Sequence, residues 1–125
     1  MDASQYFYRN VIFSKIGNQI AIVDLYDPKN REEITDQWLS MVIQLADGQH
    51  TVNQLVQYMA KQYNGNPPES LEKTLHSVIE RLVQTKFVVL TNKALELPYY
   101  LSLPYEMLDL EKAKQLHQED QKELN

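Results

Sequence analysis

The chain has 125 residues, 43% of them hydrophobic, and no cysteine. That suffices for a packed core in one domain with an appendage, and it excludes disulfides, thiolate metal sites and a cysteine nucleophile. Acidic residues outnumber basic ones 17 to 12, and the formal net charge of −5 disfavours general binding to nucleic acid or anionic membrane. No apolar run approaches the ~20 residues of a membrane-spanning helix, and the opening Met-Asp-Ala-Ser-Gln lacks the basic and apolar regions of a secretory signal. A cytoplasmic protein is expected.

Tyr6 to Ile16 is rich in aromatic and β-branched residues and reads as one strand. Gly17-Asn18 suits a tight hairpin turn, and Ile20 to Tyr26 reads as the returning strand. Ala21, Val23 and Leu25 share the face expected to enter the core, while Ile20, Ile22, Asp24 and Tyr26 share a mixed one. Asp27-Pro28-Lys29-Asn30 is strong turn chemistry. Arg31-Glu32-Glu33-Ile34 reads equally as a pre-helical turn or a short third strand. A helix is expected from Asp36 to about Asp47, capped by Thr35. Its apolar residues Trp38, Leu39, Met41, Val42, Ile43, Leu45 and Ala46 lie on nearly all sides, the pattern of a buried helix.

Asp47-Gly48-Gln49-His50-Thr51 then combines a helix stop with a helix start. Gly48 suits the left-handed conformation that ends a helix, and Thr51 with Gln54 forms a capping box for the next one. That helix, Val52 to Tyr63, carries an apolar stripe at Val52, Leu55, Val56, Met59, Ala60 and Tyr63. A third helix is expected over Pro68 to Lys86, capped by Asn66 with Pro67 at its first position and Leu71, Leu75, Val78, Ile79, Leu82 and Val83 as its stripe. Phe87 to Leu90, a turn at Asn92-Lys93 and a returning strand at Ala94 to Leu97 would add a wing. Leu97-Pro98-Tyr99 is echoed by Leu103-Pro104-Tyr105, and the prolines favour an extended arm. Asp109 to Leu124 reads as a loosely held polar helix whose few apolar contacts are Leu110, Ala113, Leu116 and Leu124. The expected class is α+β: an N-terminal antiparallel hairpin or three-stranded sheet, a three-helix winged helix-turn-helix unit, and a C-terminal extended arm and helix. The expected division is 1–91 and 92–125.

No chemistry-bearing constellation stands out. His50, His76 and His117 are not at metal-ligand spacing, and there is no phosphate cradle or nucleophile elbow. No metal, cofactor or catalytic residue is expected. The third helix balances Lys73, Arg81 and Lys86 against Glu69, Glu72 and Glu80, which is poor charge for a DNA-reading helix. Tyr99, Tyr100 and Tyr105 either fold back over the chain's own helices, the favoured reading, or form a partner-docking arm.

The order of these parts resembles the PqqD-like family, the peptide-recognition domains of ribosomal-peptide maturation. The resemblance covers about residues 6 to 91. It rests on the strand hairpin, the apolar helix with its Trp, Leu45-Ala46-Asp47-Gly48, Thr51-Val52 opening a helix that runs to Tyr63, and a third helix with Leu82 near its end before the strand at Phe87. It departs at Ile34-Thr35, where the family shows a Leu-Asn-like pair, and in the long charged stretch Asp27 to Glu33; residues 92–125 have no family counterpart. The resemblance implies a non-catalytic module whose leader-peptide ligand joins a sheet edge as an added strand beside the third helix. It makes Arg31, Glu32, Glu33 and Ile34 the docking strand. Thr74, Ser77, Val78 and Arg81 become the groove wall, with Arg81 available to an acidic leader residue. The implied partners are a precursor peptide and a separate modifying enzyme of the radical-SAM kind, with homodimerisation left open. The rival readings are a winged-helix DNA-binding regulator and a structural subunit clamped by the Tyr arm onto a larger enzyme.

Overall fold

The computed structural model describes residues 2–124; the side chain of Leu124, expected as an apolar contact, lies outside the described residues. Among the described residues the chain is α+β, with two three-stranded antiparallel sheets and five α-helices. It divides into two compact units built from non-contiguous stretches, Met1–Asn10 with Gln37–Glu96, and Val11–Asp36 with Leu97–Asn125. No single cut separates them, and a boundary at 91/92 falls inside the first unit.

The first unit holds β1 (Tyr6–Arg9), α1 (Gln37–Leu45), β5 (Asp47–Thr51), α2 (Val52–Lys61), α3 (Leu71–Gln84) and β6 (Val88–Thr91), with sheet order β5-β1-β6. The second holds β2 (Ile12–Ile16), β3 (Gln19–Val23), β4 (Arg31–Ile34), α4 (Tyr99–Ser102), a 3-10 turn at Tyr105–Met107, and α5 (Leu110–Leu124), with sheet order β2-β3-β4.

The expected strand Tyr6 to Ile16 is therefore two strands in two sheets. Its break follows from what Arg9 and Asn10 bind. The Arg9 amide donates to Ala46 O at 2.8 Å and the Asn10 amide to Phe87 O at 2.9 Å. The buried Arg9 guanidinium donates to Ile43 O at 3.4 Å and Gln44 O at 3.2 Å, satisfying carbonyls that the end of α1 leaves open. Helix α1 is also less enclosed than its composition suggests. Val42 and Ile43 are buried, whereas Trp38, Leu39, Met41 and Leu45 are half-buried.

The Asp47–Thr51 break is itself a strand, paired with β1 through Tyr6↔Thr51 and Tyr8↔Asp47 with a bulge between. Gly48 takes φ +79°, but α1 has already ended at Leu45, so this positive φ belongs to the irregular β5 strand and is not the helix stop expected of it. The capping box forms: Thr51 Oγ1 accepts from the Gln54 amide at 3.2 Å while the Thr51 amide donates to Gln54 Oε1 at 2.9 Å. The third helix starts at Leu71, later than expected, and Ser70 caps it without a side-chain bond. Consecutive prolines explain the delay. Pro67 restricts Asn66, and Pro68 restricts Pro67, to extended backbone, so the helix opens only after Pro68. At its other end Lys86 takes φ +66°; its amide donates to Val83 O, and the Phe87 amide to Leu82 O, closing α3 in a Schellman motif.

The returning strand of the wing is absent. β6 pairs with β1, with Phe7↔Leu90 and Arg9↔Val88 in register, and residues 94–97 form no strand. The Leu95 amide instead donates to Gly48 O at 3.0 Å.

In the second unit Gly17-Asn18 turns the β2–β3 hairpin as expected, with Ile16↔Gln19 closing it. Ala21, Val23 and Leu25 are buried, and so is Ile20 on the opposite face, while Asp24 and Tyr26 stay exposed. Ile12, Val23 and Leu25 join Tyr100, Leu101, Leu108 and Ala113 in one apolar cluster, with Leu110 and Leu116 against it. The residues after Pro98 are thus short helices covering a sheet, in place of an extended arm, and α5 is an integral part of the core.

Candidate functional site

The sheet of the second unit has two edges in different states. The Asp24 amide donates to Asn30 O at 3.3 Å, which sets the phase of the β3–β4 ladder. Asn30, Glu32 and Ile34 turn their backbone groups toward β3, and Arg31 and Glu33 turn theirs outward. The same alternation sends the Lys15 amide outward from β2, where it donates to Glu106 Oε1 at 2.8 Å. Buried Ser14 donates to Glu106 Oε2 at 2.6 Å. Burial pushes the Glu106 carboxyl up, but the bonds from Ser14 and the Lys15 amide outweigh it and hold the group below its ordinary value. One edge is thereby closed by a carboxylate. At the other edge, β4 pairs with β3 alone among the described residues.

The two faces of β4 differ in charge. Arg31 and Glu33 lie on one face and neutralise each other, Nε to Oε1 at 3.0 Å. Glu32 lies on the other face opposite Ile22, and Asp24 follows Ile22 on that side. Ile22, Val23, Asp24, Asn30, Arg31 and Glu32 line a shallow hollow of about 270 Å³.

Arg31, Glu32, Glu33 and Ile34 form a short third strand, one of the two readings that the sequence left open. Arg31, Glu32 and Glu33 are exposed, and Ile34 is half-buried. Thr74, Ser77, Val78 and Arg81 all lie on α3 in the first unit, apart from β4 in the division of the chain. Val78 is 6% exposed and belongs to the helix's core stripe, leaving half-buried Thr74 and exposed Ser77 and Arg81 as surface positions. The three tyrosines are engaged inside the second unit. Tyr99 Oη accepts from the Asp109 amide at 2.8 Å, Tyr100 Oη donates to Asp120 at 2.7 Å, and Tyr105 packs on the apolar cluster.

Sequence reasoning missed Glu106 and the Asp24–Glu32 face. Glu106 is local to a proline-flanked turn, and only the β2 register brings it to Lys15. The shared face of Asp24 and Glu32 had a usable signal, the alternation along Ile20 to Tyr26 combined with the turn at residues 27–30. In the first unit, a mainly apolar cavity of about 270 Å³ is lined by Phe7, Leu45 and Leu55, with Asp47, His50 and Tyr58 among its further walls. His50 Nδ1 lies 3.0 Å from Asp47 Oδ1 there. Among the described residues no group of three His, Cys, Asp or Glu could hold a metal ion, and no helix is long and apolar enough to cross a membrane.

No family model, curated protein or solved structure matches the chain.

Proposed function

We propose that this chain is a non-catalytic adaptor that recognises the leader segment of a ribosomally made precursor peptide by strand addition and presents it to a separate modifying enzyme. The observation that carries the reading is the β4 edge, a short exposed strand with the outward backbone groups of Arg31 and Glu33 unclaimed by a further strand. Such an edge is a template for an incoming chain unless something covers or blunts it. At the other edge of the same sheet Glu106 already occupies the outward amide of Lys15, which disfavours addition there. The resemblance to PqqD-like domains supplies the ligand class, and Thr74, Ser77 and Arg81 on α3 offer a second surface for side-chain selection. Tethering a precursor in this way raises its effective concentration at the enzyme.

The test is a titration of the full, isotope-labelled chain with the leader peptide encoded beside its gene, followed by amide shifts. Saturable shifts at Arg31 and Glu33 are expected, and Glu33→Pro should abolish them, because proline removes an outward N–H while sparing the ladder to β3. An absence of shifts along β4 at high peptide concentration overturns the reading.

A further inference from the structure

We infer that the strand accepted by β4 carries a lysine or arginine at the position facing Glu32, making the natural ligand a basic extended segment. This rests on β4 being the docking edge. The backbone phase fixes the position: Glu32 turns its own amide inward to β3, so an antiparallel residue opposite it sits in the non-hydrogen-bonded position. In that position facing Cα atoms approach to about 4.5 Å and side chains are closest.

The charge beneath that position is of one sign. Glu32 and Asp24 are both exposed on this face, Ile22 standing in the row of Glu32 and next to Asp24 on the same side, and together they wall the hollow. A long basic side chain fits the combination, its methylenes along Glu32 and its head directed at the carboxylates beside Ile22. One Asp24 oxygen already accepts from the Tyr26 amide at 2.8 Å, leaving its partner oxygen and Glu32 to a ligand. The basic residue of this face, Lys15, stands two strands away in the row of Ile20 and Ile34. On the opposite face Arg31 and Glu33 satisfy each other, so that side asks for no particular charge. The formal net charge of −5 adds attraction for a basic segment.

A second copy of this chain is a poor occupant by the same geometry. Full-overlap two-fold pairing would match Arg31 with Glu33 of the second copy, but would also set the two Glu32 side chains directly opposite each other, a destabilising like-charge pair.

Three short labelled peptides test the inference, alternating threonine with lysine, with glutamine, or with glutamate, by anisotropy against the full chain. The lysine peptide should bind more tightly than the glutamine one by about fivefold or more, and the glutamate peptide more weakly. Glu32→Gln should erase the preference and Glu32→Lys should invert it, with Glu33→Pro abolishing binding of all three. Equal binding of the lysine and glutamine peptides, still lost in Glu33→Pro, overturns the basic-ligand inference while leaving the docking edge standing. Lysine-peptide binding that survives Glu33→Pro in a chain with an unchanged circular dichroism spectrum is general electrostatic attraction and overturns both. Concentration-dependent dimerisation lost in Glu33→Pro assigns the edge to a second copy and overturns the inference.

Discussion

The Lys15 amide donates to Glu106 Oε1 at 2.8 Å, so a side chain occupies the edge position where a neighbouring strand's carbonyl would sit. Ser14, 2% exposed, depends on the same carboxylate. Glu106→Ala should therefore destabilise by about 1–3 kcal/mol in chemical denaturation, the cost of a buried hydroxyl losing its acceptor, with Glu106→Gln milder. The pH dependence follows from the lowered carboxyl. Its contribution is fully present above the ordinary value of 4.5 and is lost as pH falls through the depressed folded value. Denaturation of the wild type and Glu106→Gln should accordingly converge in acid.

Gly48 and Gly17 both take positive φ, +79° and +60°, but only Gly48 is crowded. A Cβ at Gly48 would lie 2.7 Å from Leu95 O, which is backbone, whereas one at Gly17 meets nothing within 4 Å. Gly17→Ala should cost about 1 kcal/mol of backbone strain, and Gly48→Ala clearly more. Thermal melts of the two variants give the ranking directly.

Arg9 is 4% exposed and closes the end of α1 through two carbonyls. Burial lowers its pKa, with Asp47 opposing that shift. Arg9→Met should cost at least about 1.5–3 kcal/mol, the worth of charged hydrogen bonds to groups otherwise left unsatisfied. Arg9→Lys should rescue little, because a point charge cannot reproduce the planar fork. Urea midpoints of the two variants compare them.

Tyr100 rests its ring on His117, centroids 5.0 Å apart, and bonds Asp120. Burial, and then the bond and charge of Asp120, raise its phenol to about 12. Its folded-state contribution is fully present below the ordinary phenol value and is lost as pH rises through about 12. In a phenolate absorbance titration, Tyr100→Phe should remove a component that ionises near pH 12 in the wild type.

Local signals read well wherever the deciding contacts were local. The Thr51–Gln54 capping box, the α2 and α3 stripes and the Gly17-Asn18 turn all lie within a few residues of their partners. The readings that failed turned on long-range partners. Nothing near Asn10 announces that Phe87 O will take its amide, so the strand break was invisible. The wing did not form because the Leu95 amide binds Gly48 O, a partner distant in sequence. Prolines 98 and 104 suggested an extended arm, and they could not show that Leu101 and Leu108 would join Val23 in an apolar cluster. On the candidate site, the four residues of β4 were legible as one of two alternatives. Their facial asymmetry was not, because it depends on the register with β3.

The apolar cluster joining Ile12, Val23 and Leu25 to Tyr100, Leu101, Leu108 and Ala113 has a consequence for biosynthesis. During translation β2, β3 and β4 leave the ribosome well before the segment that seals them. Until then the nascent hairpin shows a greasy underside beside an unguarded Lys15 amide, a stage suited to chaperone capture or to aggregation. A released chain truncated after Glu96 should be far more sensitive to protease than the full chain.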